Sequence, residues 1–135
     1  GVAMSGSIKL QASLLALRVS LAAMFAPWII AKLVSPETTQ AIFSKYYYVS
    51  ELPMVASYGL GAAQALILLC FLIGAFKLFS YGAVLAMHAV STLSTWQQLI
   101  TPQEAHNILF WAAVPALAGA ITLFLMREED RLLSV

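Results

Sequence analysis

Five polar side chains stand where an otherwise apolar chain has least use for them: Arg18, Gln64, His88, Ser91 and Thr92. Arg18 lies inside LLALRVSLAAMFAPWIIAKLV, residues 14–34. That run is long enough to cross a bilayer core of about 30 Å. A guanidinium at such a depth needs an inward partner or a reach to the head groups. It stays charged at ordinary pH and only donates hydrogen bonds, so it seeks an anion, a carbonyl or water. His88, Ser91, Thr92 and Thr95 recur at i, i+3, i+4 and i+7 and therefore share one helix face. Gln64 stands in the middle of a second apolar run, with Gly59, Gly61, Ala62 and Ala63 before it.

The elements that carry these residues are membrane helices. Of 135 residues, 61% are hydrophobic and 10% charged, against about 25% charged in a soluble domain. The chain is an integral membrane protein of one domain, 1–135, and all-α in class. Four helices are expected at about 11–35, 54–76, 80–100 and 105–126, packed as an antiparallel bundle. The first run is too long for a signal-peptide core and reads as a retained anchor, with Gly1 to Ala3 a remnant ahead of a native start at Met4. Ser35-Pro36-Glu37 stops the first helix and opens a short surface helix to about Tyr47, within a loop that extends to Pro53 and includes Glu51. Tyr46, Tyr47 and Tyr48 suit an interfacial belt. Lys77 marks a short turn between the second and third helices. Thr101-Pro102-Gln103-Glu104 starts the fourth, in which Pro115 is expected to make a kink. Arg127 to Arg131 is the polar exit.

Four spans put both termini on one side, together with Lys9, Lys77, Arg127 and Arg131. The positive-inside rule then makes that side cytoplasmic, in a bacterial inner (plasma) membrane. Counted from that side, Arg18, Gln64 and His88 fall within about 10 Å of one another in depth. A polar chamber in the cytoplasmic half, built from Arg18, Gln64, His88 and Ser91 or Thr92, is the candidate ligand site. The plain alternative is that these groups only satisfy one another and hold helices together. No acid lies inside a span, so Arg18 is expected to meet carbonyls, water, a lipid phosphate or a quinone-like oxygen.

Several chemistries are not supported. The second histidine, His106, falls at the opposite membrane face from His88, so bis-histidine haem ligation is not expected. Ligands for a metal are missing at membrane depth. The lone Cys70 reads as a small buried hydrophobe. A net charge of +1 supports no nucleic-acid partner.

The first helix, with Arg18 and Lys32 fourteen positions apart, resembles that of the DoxX-like family of small four-helix membrane proteins. The stretch GLGAAQALILLCFLIGAFKLFSYGAVLAMHAV resembles that family's second and third helices, with Gln64 at its acidic position. The resemblance implies a membrane subunit associated with quinone-linked redox or oxidative-stress complexes, such as a subunit of a quinone oxidoreductase, and not a stand-alone catalyst. Quinone is the one candidate cofactor, and a lipid the other candidate ligand. The lipid bilayer, a membrane or redox protein and a second copy of the chain are the candidate partners. A non-catalytic scaffold is the alternative, and a small-solute carrier a weaker one.

Overall fold

The computed structural model describes residues 2–48 and 52–135, with side chains from Ser7 onward. Glu51 lies outside them. The elements are α1 (Val2–Val34), α2 (Pro36–Tyr46), α3 (Met54–Ile73), α4 (Lys77–Ser94), α5 (Trp96–Ile100), a 3-10 helix (Asn107–Ala112) and α6 (Ala113–Leu125). No strand occurs among the described residues. α1 packs on α3 and α6, and α4 packs on α6 and α3. Leu14, Leu21, Ala22, Phe71, Tyr81, Val84, Ala120 and Leu123 fill the centre. Leu66, Leu69, Phe79, Val90, Leu93 and Leu125 point outward and exposed. An apolar exterior of that extent suits lipid rather than water.

Three stretches are long and apolar enough to cross a membrane: Ser7–Val34, Met54–Ile73 and Asn107–Leu125. α4 falls short of the same measure, because Lys77, Ser80, His88, Ser91, Thr92 and Ser94 dilute it. The expected span at 80–100 is also broken at Thr95. Thr92, Ser94 and Thr95 each turn the hydroxyl back onto a carbonyl of the preceding turn, at 2.7, 2.7 and 2.8 Å. Such back-bonding loosens a helix. The expected helix at 105–126 is shorter too. Residues 101–106 form turns, with Asn107 Nδ2 donating to Thr101 O at 3.1 Å, and a 3-10 helix precedes α6. Pro115 therefore makes no kink. It sits in the first turn of α6, where its missing N–H is not needed.

The close approach of α1 and α3 has a specific cause. Pro36 has no N–H, so the carbonyl of Lys32 loses its i+4 donor. Ser57 Oγ, fully buried on α3, supplies one at 3.0 Å. One turn later, a Cβ on Gly61 would come within 2.9 Å of Leu33 Cδ2 and 3.0 Å of Lys32 Cβ. Gly59 faces open space. α3 ends at Ile73 because Gly74 takes φ +73°, and Gly74 N–H and Ala75 N–H bond the carbonyls of Phe71 and Cys70 at 3.2 and 2.8 Å. This pair of bonds is the Schellman C-cap. Lys77, expected in the turn, is instead the first residue of α4.

Gly61→Leu should force α1 from α3 and cost about 1–3 kcal/mol. Gly59→Ala should be neutral or slightly stabilising. Thermal unfolding in detergent checks both, and equal behaviour of the two variants would contradict the packing described here.

Candidate functional site

The polar residues separate into two places. The first is a sealed ionic cluster around Arg18, whose side chain is 0% exposed. One fork nitrogen, Nη1, donates to Asp130 Oδ2 at 3.2 Å and to Tyr81 Oη at 3.3 Å. The other, Nη2, donates to the carbonyls of Leu132 and Leu133 at 2.5 and 3.1 Å. Tyr81 Oη donates in turn to Asp130 Oδ2 at 2.5 Å. Asp130 is as deeply buried as Arg18. Arg18 Nε and Asp130 Oδ1 have no partner among the described residues.

Asp130 corrects the expectation that Arg18 lacks an acid. Arg127 to Arg131 does not simply exit. The chain turns back under the helices after Met126, and Asp130 is brought inward. Lys77 Nζ donates to the carbonyl of Asp130, and Val135 N–H donates to Ile73 O at 2.9 Å. Ser134 occupies the space beside Gly74 that any Cβ there would need. The helix-by-helix count of acids missed Asp130 because it lies outside every helix. Tyr81 was findable: it and Val84 stand seven and four residues before His88, on the same face.

The second place is a cavity of about 860 Å³ between α1, α2, α3, α4 and the 3-10 helix. Gln64, His88, Ser91 and Thr92 line it; Arg18 does not. Its walls include Trp28, Lys32, Tyr46 and Phe110, so it lies toward α2 rather than in the half of the molecule that contains the termini. The structure thus brings together four of the five expected residues and puts Arg18 in a different cluster. His88 is 5% exposed, with Nε2 2.8 Å from Ala113 O. A carbonyl only accepts, so Nε2 carries the proton and ties α4 to the start of α6. The Phe25 ring meets the imidazole edge-on at 5.8 Å. Thr92 is committed to His88 O. Lys32, overlooked as a site residue, is the one charged side chain in the lining. Tyr46 and Tyr47 also reach the cavity, while Tyr48 is exposed. Among the described residues no three His, Cys, Asp or Glu side chains gather as a metal would require.

An apolar exterior around a fully buried ion pair and a largely apolar cavity belongs to an integral membrane protein. The chain belongs to the MauE family: the family model described as methylamine utilisation protein MauE matches residues 10–107. No curated protein and no solved structure matches it. The match overturns the DoxX-like resemblance. That resemblance rested on alanine- and leucine-rich helices whose composition the bilayer itself imposes, and its acidic position is Gln64 here. The matched range holds Arg18, Lys32, Gln64, Tyr81, His88, Ser91 and Thr92, but not Asp130.

Removing one partner of a buried pair costs about 3–5 kcal/mol, because the other charge is left uncompensated. Arg18→Met and Asp130→Asn should each approach that loss, and the double variant should cost well below their sum. Arg18→Lys should lose about 1–3 kcal/mol, since a point ammonium cannot reproduce the fork. Arg18→Met and His88→Ala should add strictly. Detergent melting curves check all three; an Arg18→Lys protein as stable as wild type would refute the forked contact.

Proposed function

We propose that this protein is a four-pass inner-membrane component of methylamine utilisation that holds a lipid-soluble, quinone-like ligand in the cavity between α1, α2, α3 and α4. The observation that carries the reading is the coincidence of the family match with that cavity: residues 10–107 include all of its lining except the 109–113 edge. α4 is the fourth crossing. It is less apolar than the others because its polar face turns inward, against α6 and the cavity, and need not meet lipid. α2 and the Tyr46–Tyr48 run then lie at the periplasmic interface, and Lys9, Lys77, Arg127 and Arg131 at the cytoplasmic one.

The lining favours a flat, mostly apolar ligand with acceptor oxygens. Phe25, Trp28, Phe43 and Phe110 supply ring surfaces. Gln64 and Ser91 supply side-chain hydrogen-bonding groups, while His88 shapes the wall through its bond to Ala113. Methylammonium itself fits poorly: the lining holds no acid, and its one charged group, Lys32, is a cation. This argues against a carrier of the amine. His88 Nε2 is held by Ala113 O rather than by Ser91, which suits a protein that serves a redox partner in the membrane better than a stand-alone catalyst. A scaffold role without a ligand is the second reading, favoured by the tight Gly61 contact as a general means of helix association.

Deletion of the gene should abolish growth on methylamine as sole nitrogen source and spare growth on ammonium. Organic extraction of the detergent-purified protein should release quinone at about one per chain, well above the level in lipid extracted alongside a control membrane protein. Normal growth of the deletion strain, or quinone at the control level, would overturn the respective half of the proposal. A cysteine introduced beside Thr101 should react with an impermeant thiol reagent from the periplasm, and reaction from the cytoplasm alone would reverse the orientation.

A further inference from the structure

We propose that Lys32 is the head-group reader of this cavity, and that the cavity selects an apolar molecule bearing an oxyanion over the same molecule without the charge. The inference rests on the reading of the cavity as a ligand site and names the chemistry of its occupant.

The argument is an account of what each polar group is already doing. Arg18 is taken by Asp130, Tyr81 and two tail carbonyls. His88 Nε2–H is taken by Ala113, and the hydroxyls of Thr92, Ser94 and Thr95 by carbonyls of their own helix. Lys32 is different. Its stem is fixed: the backbone carbonyl accepts from Ser57 at 3.0 Å, and Cβ lies 3.0 Å from where Gly61 would carry its own. Its side chain is half-buried and lines the cavity. Among the described residues the one ion pair is Arg18–Asp130 and no acid lines the cavity, so Lys32 has no carboxylate partner among them.

A fixed cation facing a largely apolar space is complementary to an anion brought in by a ligand. Gln64 lies three residues beyond Gly61 and seven beyond Ser57, on the side of α3 that meets α1, and its amide adds a second donor near that end. Phe25, Trp28 and Phe43 receive the apolar body. Two sources share this chemistry: a quinone with an ionised ring hydroxyl, and a lipid with a carboxylate or phosphate head. A role for Lys32 confined to the helix terminus, where a cation in the last turn suits the dipole, would influence stability but not ligand choice.

The test is quenching of tryptophan fluorescence in the full chain, with Trp28→Phe identifying the cavity signal. The probes are a hydroxynaphthoquinone, ionised at neutral pH, and menadione, its neutral methyl counterpart. The wild type should bind the anion about tenfold more tightly. Lys32→Met should erase that preference and Lys32→Arg should keep it. Equal binding of the two by the wild type, or a preference that survives in Lys32→Met, overturns the inference and leaves the quinone reading standing. If neither quinone quenches, the quinone reading fails, and dibromostearate against its methyl ester decides the role of Lys32. A preference for the carboxylate that Lys32→Met abolishes supports it with a lipid as the source; no such preference overturns it. Melting temperatures of the Lys32 variants, taken alongside, separate lost folding from lost recognition.

Discussion

A permanent charge in the middle of α1 is the constraint around which this molecule closes. Arg18 cannot shed its proton, and it has no contact with solvent. Its carboxylate comes from 112 positions further along, so the beginning and the end of the fold are joined by one ion pair. Much else at that end follows from the pairing. The chain must reverse after α6 to deliver Asp130. Tyr81 must be large and hydroxylated to bridge both partners. Gly74 must lack a side chain so that Ser134 can pass. Lys77 holds the tail by its backbone. A buried pair of this kind is weak evidence of net stability, since desolvation offsets much of the attraction. What it secures here is the route of the tail, because no other described acid answers Arg18.

The other half of the molecule is built differently. There, polar side chains are satisfied mostly by backbone: His88 by Ala113, Ser57 by Lys32, and Thr92 and Thr95 by the turn before them. These bonds let α4 end at Ser94 and let the chain run through turns and a 3-10 helix before α6 begins. The irregular stretch lines the cavity rather than facing lipid alone, which is where non-helical backbone is tolerated at membrane depth. A closed ionic end and an open, aromatic-walled end thus divide the chain's polar residues between holding the structure together and lining a cavity.

Much of the architecture was legible. Apolar runs of spanning length are what a bilayer demands, and Pro36 both ends α1 and begins α2 for reasons local to the residue. Less was legible in the second half, because Thr92 and Thr95 act on their helix through side chain to backbone bonds that hydropathy does not register. Gln64, His88, Ser91 and Thr92 do line one cavity, but it lies toward α2 and not in the half with the termini, where the depth count put the chamber. Arg18 was misgrouped because it and His88 do not share one depth: Arg18 meets Tyr81, while His88, two turns further along the same face of α4, meets Phe25, two turns beyond Arg18 on α1. Asp130 was hidden by its neighbours, since Arg127, Glu128, Glu129 and Arg131 make its segment look like any solvated terminus. The family likeness misled for a related reason, as lipid selects the same few residue types in the helices of different families.

The central claim, that the tail exists in this position to neutralise Arg18, is tested most directly by removing residues 128–135 in two backgrounds. With Arg18 present, truncation should sharply lower the melting temperature in detergent, because a guanidinium is left buried with no carboxylate and only the Tyr81 hydroxyl to accept from it. With Arg18→Met already in place, the same truncation should cost far less. Equal losses in the two backgrounds would contradict the account and would mean that the tail stabilises the bundle by covering apolar surface alone.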